Sequence, residues 1–171
     1  MPCNPCGLHQ TDSDEIPFEK NLEPVLLNIY DMFKINDFLG LGVFHSGVEI
    51  YGIEYGFAGH QNNTSGIFEI EPRNEQILEE FFNMHNGQLK YRETLHIGDT
   101  DLTRDEIARI VVKLGRKFRG IKYHLIYNNC NHFSATFTKL LCKKTIPNWV
   151  NRLAYLGSFI PCLHKLLPDL F

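Results

Sequence analysis

The sequence is organised around residues 127–134, where asparagines and a cysteine stand at the place a helix should begin. The apolar residues that follow have the i, i+4, i+7, i+8 spacing of one buried helical face. They are Phe133, Phe137, Leu140 and Leu141. Because Asn128 and Asn129 are good N-cap residues, the helix is predicted to start within one residue of Cys130.

A cysteine at this position is a candidate nucleophile. Unpaired backbone N–H groups and the positive end of the helix dipole favour its thiolate form. Cys130 lies three residues before Phe133 and so shares the inward face of the helix. A nucleophile held at a helix N-terminus against a core suits acyl-transfer chemistry. The alternative is a buried, inert cysteine, which is common in cytosolic proteins.

Composition narrows the class of protein. A chain of 171 residues with 43% hydrophobic and 22% charged residues is ordinary for one soluble globular domain. A net charge of −3 gives no reason to expect nucleic acid or an anionic membrane as a partner. No signal peptide is visible, and no apolar run reaches the ~18 residues that a membrane span requires. Five unevenly spread cysteines favour a reducing compartment, so a cytoplasmic protein is expected.

The N-terminal stretch, residues 1–21, is predicted to be a disordered tail, and residues 22–168 to be the folded domain. The tail has turn formers and charge but no hydrophobic periodicity. Cys3, Cys6 and His9 are spaced like metal ligands, but no fourth ligand is evident and a closed zinc site usually needs four. No metal and no cofactor are therefore expected.

The remaining chain alternates strand and helix signals. Alternation and β-forming residues predict strands over 23–31, 43–52, 53–60, 66–72 and 89–98. Helical spacing predicts a short helix after Asn74, a longer one behind a capping box at Thr103, and C-terminal helices from Pro147 and Ser158.

A nucleophilic cysteine needs a base, and eight histidines are available. His45 is the best candidate, because it stands on a predicted strand among glycines that let a substrate approach closely. A tight turn at residues 52–53 would put His60 opposite His45, where it could orient the imidazole. His132 is rotated away from Cys130 on the same helix and is predicted to be structural.

Two segments together resemble the PPPDE or desumoylating isopeptidase (DeSI) family. They are His45–Glu49 with Gly52 downstream, and Asn129–Ser134. The resemblance runs from about residue 23 to residue 167. It implies an α+β, circularly permuted papain-like cysteine peptidase fold, with an antiparallel sheet packed with helices and a Cys–His dyad. The resemblance implies that Cys130 is the nucleophile and His45 the base. The permutation accounts for the histidine preceding the cysteine in the chain.

The resemblance also implies a substrate. The family is expected to cleave after the glycine-rich tail of ubiquitin or a ubiquitin-like modifier such as SUMO, so the modifier and its conjugates are the expected partners, and the resemblance is compatible with a homodimer. Glycines 40, 42 and 47 near His45 are expected to form a channel that admits such a tail. The Cys130 N–H and an unassigned polar side chain are expected to bind the oxyanion. Asn129 and His60 are the candidate supporting residues.

Two alternatives remain open from the sequence. Lecithin–retinol acyltransferase-like enzymes carry a similar Asn-Cys-Glu-His-Phe segment, which would make this chain a thiol-dependent acyl hydrolase, for example a palmitoyl-protein thioesterase, or an acyltransferase. Position 131 is asparagine here and not glutamate, which favours the isopeptidase. The other alternative is a binding module without turnover, against which the intact pair of His45 and Cys130 argues.

Overall fold

The computed structural model describes residues 21–32, 42–82, 89–152 and 154, which form an α+β arrangement around one antiparallel sheet. The sheet has five strands in the order β4-β3-β2-β1-β5. They are β1 (Glu23–Met32), β2 (Phe44–Ile50), β3 (Ile53–Phe57), β4 (Ile67–Ile70) and β5 (Leu89–Thr100). The α-helices are α1 (Glu75–Phe81), α2 (Arg104–Gly115) and α3 (Cys130–Cys142), and short 3-10 helices span Gly120–Lys122 and Asn148–Asn151. The predicted α+β class and antiparallel sheet are confirmed.

Parts of the sequence predictions fall outside the described residues. The N-terminal tail with its three potential metal ligands lies there, as do Gly40 and the helix predicted from Ser158. Within the part of the chain that the structure describes, no helix is long and apolar enough to cross a membrane.

The sheet buries both faces. Alternate residues of a strand point to opposite faces, so each strand serves two cores. One core lies under α2 and α3 and includes Leu27, Val48, Phe57 and Phe133. The other lies on the opposite face, where Tyr30, Phe68, Leu78 of α1 and the loop residues Leu125 and Ile126 pack together. Because both sides are covered, β1 has a nearly continuous buried run from Leu27 to Tyr30.

The β2–β3 hairpin turns one residue earlier than predicted. Ile50 pairs with Ile53, and Tyr51-Gly52 form the two-residue turn, both with positive φ (52° and 73°). Such a turn matches the right-handed twist of the flanking strands, and Gly52 takes up its φ at no steric cost. The predicted pairing of Tyr51 with Glu54 is wrong, since Glu54 pairs with Glu49. The predicted position of His60 opposite His45 rested on that register.

The helix starts follow local sequence. Thr103 caps α2 and forms the predicted capping box with Glu106. Asn74 caps α1 as predicted, accepting from the Ile77 N–H at 3.2 Å. On α3 the predicted apolar stripe is confirmed for Phe133, Phe137 and Leu141, whereas Leu140 is 41% exposed. Helix caps and hydrophobic periodicity depend on residues close together in the chain, so they can be predicted without knowledge of the tertiary fold.

A buried polar cluster centred on Glu54 lies on the sheet face opposite α3. The Glu54 carboxylate accepts hydrogen bonds from Asn28 Nδ2 (2.7 Å), the Tyr30 hydroxyl (2.8 Å) and the Arg73 backbone N–H (3.0 Å). Glu54 is fully buried. A buried carboxylate is tolerated only when it is paired in this way, so the cluster ties β1, β3 and the start of α1 together.

We expect Glu54→Gln to change how stability depends on pH. Burial raises the pKa of the Glu54 carboxyl, and the three hydrogen bonds oppose that rise only in part. The folded chain therefore keeps this proton to a higher pH than the unfolded chain. The stability that the proton contributes is complete below the ordinary pKa of 4.5 and is lost as pH rises through the folded value. Relative to wild type, Glu54→Gln should therefore gain in free energy of unfolding, by about 1.4 kcal/mol per unit of pKa elevation.

Urea unfolding of both proteins at several pH values between about 4.5 and 7.5 measures this difference. Glu69→Gln, at an exposed position on β4, is the matched control for losing one carboxylate from the sheet. A difference between wild type and Glu54→Gln that stays constant across the range would contradict the raised pKa of Glu54.

Candidate active site

The candidate site is built on the first turn of α3. The helix begins at Cys130, as predicted, and Asn129 is its N-cap. The Asn129 side chain accepts from the His132 N–H at 3.0 Å, and the His132 imidazole accepts from the Asn129 N–H at 3.2 Å. Asn129 Nδ2 also donates to the Leu125 carbonyl (2.7 Å) and to Asn151 Oδ1 (3.0 Å). Asn129 therefore positions the cysteine by holding the start of the helix, and His132 is structural as predicted.

Two opposing effects act on the pKa of the Cys130 thiol. The Ser46 backbone N–H, the Tyr123 hydroxyl and the backbone N–H groups at the start of α3 all act on the sulfur and lower the pKa of the thiol. Cys130 is nevertheless only 3% exposed, and burial outweighs the donors, so the net pKa is raised. The helix terminus favours the thiolate as expected, but the sequence analysis left out the loss of water on burial, which acts in the opposite direction. The donors are in place for a thiolate that forms during reaction.

His45 lies on β2 and is not hydrogen-bonded to this thiol. Its ring is fully buried, packs edge-on against Phe82 (4.7 Å between centroids) and tilts against Tyr30 (5.7 Å). Neither ring nitrogen has a hydrogen-bond partner among the described residues. Burial lowers the pKa of His45 to about 3, so the imidazole is neutral at pH 7.

His45 and the helix that carries Cys130 lie on opposite faces of β2. The Ser46 side chain points towards α3, where it bonds Asn131, so the side chain of the preceding residue, His45, projects to the other face. There it packs with Tyr30 and Phe82. The expectation that the side chains of Cys130 and His45 lie within hydrogen-bond reach is therefore not confirmed.

His60 has no contact with His45 in the described part of the chain. His60 is exposed, and both of its ring nitrogens are taken by its own loop: Nε2 lies 3.0 Å from the Ser65 carbonyl, and Nδ1 accepts from the Asn62 N–H at 3.2 Å. The prediction that His60 orients His45 therefore finds no contact to support it. The physical reason is the hairpin register, which the turn at Tyr51-Gly52 sets.

The glycines near His45 make room for the protein's own side chains. A Cβ on Gly47 would meet the Glu54 carboxylate, and one on Gly42 would meet the Phe44 ring and the Arg152 guanidinium. The prediction of a channel lined by Gly42 and Gly47 is therefore wrong. Gly47 instead allows the buried carboxylate of the neighbouring strand to sit against β2.

Asn131 is a functional residue that sequence reasoning missed. Its Oδ1 accepts from the Ser46 hydroxyl at 2.7 Å and lies 3.8 Å from the Cys130 sulfur. Its Nδ2 donates to the carbonyls of Phe44 (3.0 Å) and Val150 (3.1 Å). This one amide joins the helix that carries the nucleophile to β2 and to the 3-10 helix Asn148–Asn151. A polar residue on the inward face, one position after Cys130, was the available signal.

We expect Asn131→Asp to destabilise the protein strongly. The substitution keeps the shape but replaces two donated hydrogen bonds by a buried carboxylate facing two carbonyls. A loss of about 3 kcal/mol or more in the free energy of unfolding follows, measured by urea denaturation. Asn128→Asp is the matched control, because Asn128 Nδ2 donates only to the exposed Lys122 carbonyl at 2.8 Å, so its loss should stay near 1 kcal/mol. Equal losses in the two variants would argue against the bridging role of Asn131.

Tyr123 is a second residue that the sequence analysis did not single out. Its hydroxyl is among the groups that lower the pKa of the Cys130 thiol. It stands seven positions before the cysteine, a separation that helical periodicity does not reveal. As to metals, the described part of the chain contains no group of three or more His, Cys, Asp or Glu residues that could hold an ion.

Known proteins are similar to this chain over the residues that form the candidate site. Residues 23–171 match the family model described as "PPPDE putative peptidase domain". The chain is 44% identical over 148 residues to a protein of Caenorhabditis elegans named "Desumoylating isopeptidase 1 homolog", covering 85% of this chain and 42% of that protein. It is 41% identical over 155 residues to a "DeSI-like protein" of Arabidopsis thaliana, covering 89% of this chain and 64% of the relative. A DeSI-like protein of Schizosaccharomyces pombe is 29% identical over 150 residues, covering 84% of this chain and 70% of the relative. The chain thus spans less than two thirds of the worm and plant relatives.

Proposed function

The chain belongs to the PPPDE peptidase family, and we propose that it is a cysteine isopeptidase that removes a ubiquitin-like modifier from its conjugates. The observation that carries the proposal is the Cys130 thiol at the start of α3, where Asn129 caps the helix and the helix N–H groups act on the sulfur. Donors of this kind stabilise an anionic sulfur and an oxyanion next to it, as acyl transfer from an amide requires.

The name of the worm relative supports SUMO as the first modifier to test, and ubiquitin is the second. The five-stranded antiparallel sheet with a cysteine at a helix start is compatible with a papain-like peptidase. A circular permutation of that fold, in which the histidine strand precedes the cysteine helix, remains part of the proposal, as does a cytoplasmic site of action.

His45 is proposed as the general base and acid. Neither of its ring nitrogens has a competing hydrogen bond among the described residues, and His45 directly precedes Ser46, whose N–H is among the groups that lower the pKa of the Cys130 thiol. Because the imidazole packs against Phe82 on the face of β2 opposite α3, its contact with the thiol requires a rearrangement of this part of the strand and not only a turn of the side chain. Catalytic hydrogen bonds are often long or poorly aligned in an unliganded enzyme and tighten when substrate binds.

The chemistry then runs in two halves. The Cys130 proton passes to His45 while the sulfur attacks the carbonyl carbon of the terminal glycine, forming a C–S bond and an oxyanion. The oxyanion collapses, the C–N isopeptide bond breaks, and His45 gives the proton to the leaving lysine amine. Water then attacks the thioester as His45 accepts its proton, the C–S bond breaks, and the proton returns to the sulfur.

The proposal is tested by side-by-side turnover of three reporters: a SUMO conjugate, a ubiquitin conjugate and a palmitoyl thioester. Turnover of a modifier conjugate, together with covalent capture of Cys130 by a vinyl sulfone made from the same modifier, is the expected result. Robust thioester hydrolysis with no cleavage of either conjugate would transfer the assignment to the acyl hydrolase alternative. Absence of both turnover and capture would leave a binding module.

A further inference from the structure

We infer that the segment between α2 and Cys130 forms a docking surface for an acidic face of the ubiquitin-like modifier. The inference deepens the proposed function and rests on it for the identity of the partner. We call this surface the basic entrance. It consists of four cations and two exposed side chains between them and the nucleophile: Arg116, Lys117, Arg119, Lys122, Ile121 and Tyr127.

The charge of the chain is distributed unevenly along its length. From Ile107 to Arg152 there are ten lysines and arginines and no aspartate or glutamate, whereas the whole chain has a net charge of −3. This region forms most of α2, both 3-10 helices and α3. No ion pair joins any of its cations to a carboxylate among the described residues. A surface of one sign attracts a partner of the opposite sign and raises its association rate.

The dipole of α2 accounts for only part of the basic entrance. Its effect falls off within the last turn, and α2 ends at Gly115 with Arg116 as its C-cap. Arg119 and Lys122 lie beyond that turn. Arg119 donates to Asn63 Oδ1 at 3.0 Å, whereas the exposed Lys122 ammonium has no hydrogen bond or ion pair among the described residues. The fold therefore does not use the Lys122 charge, which is available to a partner.

Hydrogen bonds hold the basic entrance against the start of α3. Asn128 Nδ2 donates to the Lys122 carbonyl at 2.8 Å. Asn128 and His124 exchange two backbone hydrogen bonds, of 2.9 and 3.0 Å, which close the turn between them. The turn leads directly to Asn129, the N-cap of the helix that begins at Cys130. Lys122 is thus fixed to the segment that positions the candidate nucleophile.

Lys117 is joined to the same helix through the core. Its ammonium lies 5.1 Å from the centroid of the Phe118 ring, and that ring packs against Phe133 of α3 with 5.4 Å between centroids. Between these cations and Cys130, Ile121 is 50% exposed and Tyr127 is 67% exposed. Exposed side chains of this kind supply the buried centre of a protein interface, and the surrounding charges supply its rim.

The place of the surface selects its partner. A conjugate whose isopeptide bond reaches Cys130 has to lay protein over the residues that lead to Cys130. The modifier is the part that all conjugates share, so a fixed surface beside the nucleophile fits the modifier, and the excess of cations fits carboxylates on its face. An anionic membrane is the competing partner for cations and exposed side chains. A membrane seated there would cover the approach to Cys130 and exclude the conjugate.

The experiment measures the association rates of purified SUMO and ubiquitin with wild type, Lys122→Gln and Lys122→Glu, at low and at physiological salt. For the modifier that binds, Lys122→Glu is expected to lower the rate constant about 5-fold at low salt, and Lys122→Gln about 2-fold, because reversal removes twice the charge of neutralisation. Salt should narrow both differences. In turnover of the conjugate reporter the loss should appear in KM and not in kcat, since Lys122 does not touch the reacting atoms.

Lys90→Glu is the matched control, because Lys90 is exposed on β5 and the same change of charge there should leave the association rate close to that of wild type. Equal effects of Lys122→Glu and Lys90→Glu would overturn the inference, since net charge alone would then explain both. Failure of wild type to bind either modifier at low salt would also overturn it.

A membrane partner has its own readout. Vesicles of phosphatidylcholine and phosphatidylserine in equal parts, bound by wild type and released by Lys122→Glu while neither modifier binds, would overturn the inference in favour of a membrane. The proposed function fails separately. Binding of a modifier that Lys122→Glu weakens, with no cleavage of any reporter, would support the docking surface and reject the isopeptidase.

Discussion

Replacing Cys130 by serine is expected to lower turnover of the modifier reporter by about 10⁴-fold, which is the largest effect foreseen for any single side chain. Serine is close to cysteine in size and its hydroxyl can donate to Asn131 Oδ1, which lies 3.8 Å from the sulfur, so the fold should be retained. Its hydroxyl is a far weaker acid than the thiol, and the neutral His45 cannot draw off its proton as readily. Steady-state turnover and circular dichroism of the same sample measure activity and folding together.

Cys142→Ser is the matched control, because Cys142 lies on the same helix and its thiol only bonds the Thr138 carbonyl at 3.2 Å. Its turnover should stay within about twofold of wild type. The nucleophile assignment fails if Cys130→Ser, shown to be folded, keeps more than about 1% of wild-type turnover. Loss of the thioesterase signal is also expected, since both reactions pass through the same sulfur.

His45→Ala is expected to lower isopeptide cleavage by about 10²- to 10⁴-fold and thioester cleavage by less. An amide must be protonated at its leaving nitrogen, and His45 is the proposed acid, whereas a thiolate leaves without that help. Because His45 is fully buried, alanine also opens a cavity. His45→Gln, which keeps most of the volume but has no basic nitrogen, separates the loss of the base from the loss of packing.

The pH profile is a second readout for His45. Burial lowers its pKa to about 3, so the imidazole of the free enzyme is neutral from pH 5 to 8. The profile of kcat/KM, which reports the free enzyme, should therefore show no acid limb at the ordinary histidine pKa of 6.5. An acid limb near pH 6.5 would contradict the role given to His45. So would an equal loss of amide and thioester cleavage in His45→Ala and His45→Gln. His96→Ala, at an exposed histidine paired with Asp99, is the control.

Several features of the site could be predicted because neighbouring residues carry the signal. The start of α3 at Cys130 followed from asparagine caps and a stripe of apolar residues, and the capping box of α2 from Thr103 and Glu106. The strands followed from alternation and β-forming residues, with bounds within a few positions of those observed. Family resemblance added the prediction that Cys130 and His45 act as a pair, for which the structure shows no hydrogen bond between the two among the described residues.

The remaining features depend on residues far apart in the chain. The predicted hairpin turn was one residue too late, because Tyr51-Gly52 and Gly52-Ile53 both contain a glycine and could each have formed the turn. The same error led to the wrong prediction for the position of His60. Asn131 meets Phe44 across 87 positions, and Glu54 meets Asn28 across 26.

Sequence by itself determined where the nucleophile stands in its helix, since capping and periodicity act over three or four residues. Only the tertiary structure decided that the thiol is buried and that the His45 imidazole is buried, neutral at pH 7 and unpartnered among the described residues. Protonation depends on how much water the whole fold removes and which donors it brings in return. That balance depends on how the whole domain packs, so it cannot be predicted from any single stretch of the chain.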